Sequence, residues 1–357
     1  MEPSGAEPSV QVARRGVLLR AWLSDWLYTL TTQPETGAFI SVVGVFAFFA
    51  FTASGRGFLS IAGTVNYVQV AAELGIIVVP VTMLMIAGEF DLSVGSMLGV
   101  GAIVFSYTVT RLGWPVSASL ALVAVVAVLI GFTNGILVVK TGMPSFIVTL
   151  AMLFILRGAT IALTSLITNN TMIQGVNDKA GGSPLHIFFT SFVGQFPVSL
   201  VWWIGLTLVG AWVLRKTAFG NWTFATGGDL HTARNVGVPV DRVRILIYIC
   251  SALAATLVGV IQAMETNSAD VGQGQTVEFQ AVTAAVIGGT LLTGGYGSAI
   301  GAWFGALAFG IVNQGIFFTN IDANWFQTLL GTMLLGAVAL NHFVRRRAMR
   351  PRWRSAK

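Results

Sequence analysis

The chain has 357 residues, of which 55% are hydrophobic and only 10% are charged, and its mean hydropathy is +0.78. A soluble globular domain carries roughly 25% charged residues, so this composition excludes an ordinary soluble enzyme. The formal net charge of +6 does not indicate a nucleic-acid partner, because the basic residues flank apolar runs, which is the pattern of a membrane protein.

Several apolar runs reach about 20 residues, the length that a helix needs to cross a bilayer. They lack the alternating polar residues of spanning strands, so the sequence predicts an all-α polytopic membrane protein with about ten transmembrane helices. The segment at 280–292 has only about 13 residues, which predicts a broken or re-entrant helix. In chain order the segments are 37–54, 61–87, 93–110, 116–139, 144–167, 198–214, 244–264, 280–292, 298–318 and 325–343.

Basic residues predict the orientation of these helices. With ten crossings, most of them fall on one face: ahead of the first segment, at Lys140, in the loop 215–243 and in the tail 344–357. The positive-inside rule therefore predicts that both termini are cytoplasmic. Residues 1–36 form a cytoplasmic extension in this interpretation, and 37–343 form the transmembrane domain. The largest outer loops are 168–197 and 265–279.

The stretch IAGEFDLSVGS at 86–96 places two carboxylates, Glu89 and Asp91, between apolar segments. Asp91 or Ser93 is well placed to cap the helix at 93–110, whose first N–H groups have no water to bind inside a bilayer. A substrate contact and a role in proton coupling also remain open for Asp91. Glu89 and Glu73 are each predicted as partners of Arg157, which is interpreted as the one basic residue buried in a crossing.

The segment at 86–99 shows weak internal sequence similarity to IGGTLLTGGYGSAIG at 287–301. Each reads as an apolar helix, a Gly-rich polar break and a Gly-Ser pair that opens another helix of small residues. Interrupted helices at corresponding positions of two halves mark the substrate path in many transporters. Both breaks are therefore expected near a translocation pathway.

The loop 215–243 predicts a docking surface on the cytoplasmic side, although a solvated connector remains open. It is amphipathic, and Asp229 stands at a helix-cap position ahead of a short helical stretch. Lys140-Thr141 lacks the glycine of a phosphate-binding loop, so no nucleotide hydrolysis by this chain is expected. The single cysteine, Cys250, is predicted to be a small buried apolar residue, and no metal or cofactor site is expected.

Four blocks of this sequence, in order, resemble the membrane permeases of bacterial ribose-type (monosaccharide) ABC importers. They are the Asp-Leu-Ser-Val-Gly core within 83–99, the Asn-Gly, Pro-Ser-Phe-Ile and Arg-Gly elements within 131–158, the glycines and alanines of the loop, and the Gly-rich string at 281–307. The resemblance covers about residues 60–340. It departs at Glu89, where many relatives have glycine, and at Asp229, where asparagine is common.

The resemblance implies a sugar permease that works by alternating access and is not itself an enzyme. Its implied partners are two cytoplasmic ATPase subunits, an extracytoplasmic sugar-binding protein and a second permease, either a copy or a paralogue. A proton-coupled secondary carrier using Asp91, Glu89 and Arg157 is the alternative. The pathway candidates are Asp91, Ser93, Gly95, Arg157, Gly288, Gly289, Thr290, Thr293, Gly294 and Gly295. The ATPase-coupling candidates are Gly220, Ala225, Gly227, Gly228, Asp229, Ala233 and Gly237.

Overall fold

The computed structural model describes residues 34–319, 322 and 325–348. Residues 1–33 of the predicted extension and 349–357 of the predicted basic tail therefore lie outside the described residues. Within the described part the chain is mainly helical.

Each of the ten predicted apolar segments coincides, over most of its length, with a helix. Six segments are long and apolar enough to cross a membrane, judged by length and composition: Glu35–Thr52, Ile61–Ile86, Val116–Thr141, Ser145–Thr168, Val240–Glu265 and Ala299–Phe318. The number of crossings and the side on which the termini lie remain predictions. The helices that match the segments are α1 (Pro34–Thr52), α2 (Ile61–Ile86), α3 (Val94–Thr110), α4 (Val116–Thr141), α5 (Ser145–Thr168), α8 (Ser199–Lys216), α11 (Val240–Glu265), α12 (Val277–Ile287), α13 (Ala299–Gly315) and α14 (Phe326–Ala348).

The shorter helices lie in the connections. The loop after α5 carries α6 (Val176–Ala180) and α7 (Ile187–Thr190), and the loop between α8 and α11 carries α9 (Ala218–Gly228) and α10 (Leu230–Asn235). Single 3₁₀ turns are found at Ser54–Arg56, Pro184–His186 and Ile316–Phe318.

The centre of the bundle is formed by α2, α3, α11 and α13. In the most apolar window of α2, 78% of residues are buried, against 33% in α4 and 22% in α5. Large side chains from these central helices and their neighbours, including Phe105, Trp203, Tyr248 and Phe309, are almost fully buried. The outer helices expose their large apolar side chains, as expected where lipid replaces water. Cys250 is one of the exposed residues of α11, so the prediction that it is buried is wrong.

Small residues allow the central helices to approach closely. A Cβ atom on Gly259 of α11 would lie 2.1 Å from the carbonyl oxygen of Leu98 on α3. Close backbone contact at glycine is a common way for helices to associate in membranes, where burial of apolar surface gives little driving force.

The all-α prediction needs one correction, because the described residues include four short strands in the loops that follow α5 and α11. β1 (Met172–Gln174) pairs antiparallel with β4 (Ser268–Asp270), which ties together the two loops that follow α5 and α11. β2 (Phe192–Val193) and β3 (Phe196–Pro197) form a hairpin. Ile173 and Ala269 are buried, and buried backbone groups need hydrogen-bond partners, which the strand pairing supplies.

Candidate functional site: two helix breaks and the short helix between them

Helices α2 and α12 both end at a glycine in the left-handed conformation, with the same set of backbone hydrogen bonds. Gly88 has φ 82° and Gly289 has φ 87°. The N–H of Glu89 donates to Leu84 O at 2.9 Å, and the N–H of Thr290 donates to Ala285 O at 3.0 Å. This is the hydrogen-bond pattern of a Schellman C-cap, which glycine favours because it lacks a Cβ atom. The two breaks predicted from sequence are therefore confirmed, and they align at Gly88 and Gly289.

The likeness does not extend to the beginning of the next helix. Ser298 is the N-cap of α13, and its hydroxyl accepts hydrogen bonds from the N–H groups of Ile300 and Gly301. The corresponding Gly95-Ser96 pair lies inside the first turn of α3, which starts at Val94. A Gly-Ser pair thus lies at the start of both helices, as predicted, but Ser298 caps α13 whereas the Ser96 hydroxyl donates to Leu153 O.

Side chains from two other helices satisfy the backbone of the first break. Ser145 Oγ accepts from the N–H of Phe90 at 3.1 Å, and Thr149 Oγ1 accepts from the N–H of Leu92 at 3.1 Å. The hydroxyl of Tyr248 donates to Phe90 O at 3.1 Å. Unpaired backbone groups in a membrane interior each cost several kcal/mol, so these contacts allow the helix to be interrupted there.

Asp91 is fully buried and organises the end of this break. Its Oδ1 accepts from the N–H of Ser93 at 2.9 Å and from the hydroxyl of Ser93 at 2.6 Å. Asn134 Nδ2 donates to Ser93 Oγ at 2.9 Å and adds α4 to the network. Asp91 accepts only the N–H of Ser93, which directly precedes α3, and no N–H of α3 itself, so the prediction that Asp91 or Ser93 caps this helix is wrong. Ser93 occupies the N-cap position but makes no side-chain cap bond to α3.

Glu89 pairs with Arg244 of α11 at 2.5 Å, and both side chains are about 90% buried. The predicted pairing of Glu89 or Glu73 with Arg157 is wrong. Arg157 instead donates to Gly274 O at 3.3 Å, and Glu73 accepts hydrogen bonds from Gln69 and Gln262. Arg157 is also not the one basic residue within an apolar helix, because Arg244 lies in the first turns of α11.

Gly95 is a pathway candidate on α3. It packs against the loop that precedes α12 and against the first turn of that helix. A Cβ atom on Gly95 would lie 2.1 Å from Glu278 Oε2 and 2.4 Å from Gly274 O. Gly95 and Arg157 therefore contact the same loop, the one that precedes α12.

The second break, residues 288–298, contacts the first one directly. The N–H of Gly295 donates to Ile86 O, the last residue of α2, at 2.8 Å. Gly294 packs against Gly88, and a Cβ atom on Gly294 would lie 2.9 Å from the Gly88 Cα atom. Gly288 packs on Gly301 of α13 and Thr290 is fully buried, whereas Thr293 is exposed.

Helix α9 ends at the point where the two breaks meet. A Cβ atom on Gly227 would lie 1.8 Å from Ile86 O and 2.8 Å from the Gly295 nitrogen, whereas one on Gly228 would have no neighbour within 4 Å. Gly220, near the start of the same helix, packs closely against Leu214 of α8.

Helix α10 follows α9 directly. The sequence predicts that Asp229 is the N-cap of this helix. Asp229 Oδ1 accepts from the N–H of Thr232 at 2.6 Å, which confirms the cap. Hydrogen bonds from Thr232 lower the pKa of Asp229 below its usual value, because they stabilise the carboxylate. Ala233 is buried and Ala225 is partly buried, while Gly237 has φ 86° at the turn before α11.

Similar proteins are membrane permeases. The family model described as "Branched-chain amino acid transport system / permease component" matches residues 63–338. The fructose import permease protein of Rhizobium meliloti is 31% identical over 344 residues, covering 96% of this chain and 94% of the relative. The ribose import permease protein of Escherichia coli K12 is 30% identical over 299 residues, covering 80% and 87%. The xylose transport system permease protein of the same strain is 28% identical over 364 residues, covering 86% and 91%. No solved structure matches the chain.

The Glu89–Arg244 pair predicts an asymmetric response to mutation. Glu89→Gln leaves the Arg244 guanidinium buried without a counter-charge, so we expect a loss of about 3–5 kcal/mol of stability. The double variant Glu89→Gln/Arg244→Met removes both charges and should recover most of this loss. Thermal unfolding of the detergent-solubilised protein measures both effects.

The matched control is the exposed pair Arg234–Asp241, whose side chains are about half exposed. Asp241→Asn should change stability by roughly 0–1 kcal/mol, as surface ion pairs do. A double variant no more stable than Glu89→Gln alone would show that the charge at position 244 does not cause the loss.

Proposed function

Because the chain belongs to the family of branched-chain amino acid-type transport permease components, we propose that it is the permease subunit of an ATP-driven sugar importer. It moves a small sugar, meaning a pentose, a hexose or a related polyol, across the inner membrane by alternating access. The ribose, xylose and fructose permeases among its relatives support this substrate class. The chain is a multi-pass membrane protein, and ATP is hydrolysed by separate partner subunits.

The observation that carries this proposal is the contact of α9 with both helix breaks. Gly227 packs against Ile86 O and the Gly295 nitrogen, which are themselves joined by a hydrogen bond. A displacement of α9 and α10 by a cytoplasmic ATPase therefore acts on the end of α2 and on the second break together. This gives the loop 215–243 the role of a coupling element.

The breaks lie beside the solute pathway in this proposal. Asp91 and Ser93 hold the first break together through side-chain hydrogen bonds, and at the second break Gly288 packs on α13 beside the buried Thr290. Gly95 and Arg157 position the loop ahead of α12, Gly294 and Gly295 pack against the end of α9, and Thr293 is exposed next to them. These residues act as architecture beside the path, because Asp91 Oδ1, Ser93 and Arg157 each bind a group within the protein.

The contacts of the three relay candidates favour the importer over a proton-coupled carrier. Glu89 is held by Arg244, Asp91 by Ser93, and Arg157 by a backbone carbonyl. A relay needs groups that can exchange protons along a chain, and no hydrogen bond joins any two of these three side chains.

The remaining parts of the proposal concern topology and partners. Residues 37–343 form the transmembrane domain with ten membrane segments, and both termini lie on the cytoplasmic side with α9 and α10. Two permeases, either copies or paralogues, assemble with two ATPase subunits and receive the sugar from an extracytoplasmic binding protein.

Reporter fusions test this topology. Alkaline phosphatase should be active when inserted after Asn170 and inactive after Lys357, and green fluorescent protein should show the opposite pattern. Phosphatase activity at Lys357 would contradict a cytoplasmic C-terminus.

Uptake into proteoliposomes tests the function. The permease, reconstituted with its ATPase and binding protein, should accumulate labelled D-ribose, D-xylose or D-fructose only when ATP is supplied. A proton gradient without ATPase should give no uptake. Accumulation driven by the gradient through this chain alone would establish the carrier instead.

Two neighbouring glycines test the coupling element. Gly227→Val forces a side chain against Ile86 O, so we expect sugar-stimulated ATP hydrolysis to fall about tenfold or more, since overpacking costs about 1–3 kcal/mol and 1.4 kcal/mol is tenfold. Gly228→Val is the matched control, because its Cβ atom meets nothing within 4 Å. Membrane abundance of both variants checks insertion. Equal stimulated hydrolysis in the two variants would argue against coupling at Gly227.

A further inference from the structure

A cavity of about 190 Å³ is lined by residues of α2, α3, α11, α12 and α13. Its polar lining consists of Glu73 from α2, Gln262 from α11, Gln280 from α12 and Asn313 from α13. Apolar side chains such as Leu98 and Phe309 form the rest of the wall. A cavity of this volume has room for several ordered waters or for a small organic solute.

Hydrogen bonds fix the orientation of the acid in this cavity. Gln262 Nε2 donates to Glu73 Oε2 at 2.8 Å, and Gln69 Nε2 donates to Glu73 Oε1 at 3.2 Å. Gln69 Nε2 also donates to Glu265 Oε2 at 2.9 Å, which joins α2 to the end of α11. Among residues 34–319 and 325–348, no ion pair involves Glu73 or Glu265. The polar part of the cavity lining therefore consists of one carboxyl group and three amides, and the carboxyl group of Glu73 has no ion-pair partner among the described residues.

The amide groups offer both donors and acceptors to a solute. Asn313 Oδ1 accepts from Gln314 Nε2 at 3.0 Å, and Gln280 Nε2 donates to Thr276 Oγ1 at 3.1 Å. These contacts leave a donor on Asn313 and an acceptor on Gln280. A carboxylate and amides facing apolar side chains suit a molecule that has hydroxyl groups on its edge and C–H groups on its faces.

A metal ion fits this cavity less well than a sugar. In the part of the chain that the structure describes, no group of three or more His, Cys, Asp or Glu side chains could hold a metal ion. Calcium takes six to eight oxygen ligands, and carboxylates normally supply several of them. Amides dominate this cavity instead, so hydroxyl recognition is the better match.

The cavity is connected to the helix breaks through four helices. Helix α2 runs from Glu73 to the first break at Gly88, which is about 20 Å of helix, and α3 returns from that break to Leu98. Helix α12 runs from Gln280 to the second break, and α13 returns from it to Asn313. Any movement of the breaks is therefore transmitted to the cavity wall.

We propose that this cavity is the site where the permease holds a neutral polyhydroxylated solute during transfer, with Glu73, Gln262, Gln280 and Asn313 binding its hydroxyl groups. This inference rests on the proposed function and adds a binding site to it. It also implies that the permease itself selects among solutes after the binding protein has released them.

Cysteine protection tests the site directly. In a Cys250→Ala background, Asn313→Cys places one thiol at the cavity wall of the full chain in lipid nanodiscs. A panel of pentoses, hexoses and polyols should include at least one that slows alkylation by N-ethylmaleimide about threefold or more, whereas glycine at equal osmolarity should not. The control is Gln174→Cys in the same background, because Gln174 is exposed on β1 outside the cavity. No protection by any member of the panel would overturn the proposal.

Uptake by the whole importer separates this inference from the proposed function. Gln262→Met keeps the side-chain length but removes the amide, so we expect sugar uptake to fall about tenfold at unchanged membrane abundance, while Gln174→Met leaves it unchanged. ATP-dependent uptake without protection, and without loss in Gln262→Met, would eliminate the site and leave the importer intact. Protection together with uptake that needs no ATPase would support the site and eliminate the importer.

Discussion

The structure depends on one constraint: a helix interrupted inside a membrane protein must satisfy its freed backbone groups without water. The first break meets this constraint with hydroxyl groups from Ser145, Thr149 and Tyr248. Those contacts fix α5 and α11 against the end of α2. The polar residues that interrupt the apolar segments at 144–149 are thus explained by hydrogen bonding to a break more than 50 positions away.

The same constraint joins the two breaks into one unit. Gly295 donates to Ile86 O, so part of the unpaired backbone at the end of α2 is satisfied by the second break. The close approach leaves no room for a side chain at Gly227, the residue of α9 that touches both. A glycine at this position therefore has a steric cause that acts through tertiary contact. In the proposed function, a displacement of the loop 215–243 would reach both breaks through this one contact between backbone atoms.

The sequence predicted the helices, the two breaks and the Asp229 cap, because length, apolar runs and glycine positions are local signals. It did not predict the partner of Glu89. Arg244 is the first residue of the predicted segment 244–264, and only the folded structure places its side chain beside the break. The cavity was also missed. Gln69 and Glu73 lie one turn apart on α2 and Gln262 lies on α11, each a single polar residue among apolar ones, and a hydrogen bond across 189 positions has no local pattern.

The positions of the breaks and the cavity explain how one chain can couple two distant events. Helix packing in a protein interior is close and transmits displacement with little loss. The breaks are the points where α2–α3 and α12–α13 can change direction, since an interrupted helix bends more easily than a continuous one. The same four helices line the cavity together with α11, to which α2 is joined by the hydrogen bond between Glu73 and Gln262. In the proposed mechanism, a small shift at Gly227 would alter the spacing of the hydrogen-bonding groups around Glu73, about 20 Å of helix away, as alternating access to a bound solute requires.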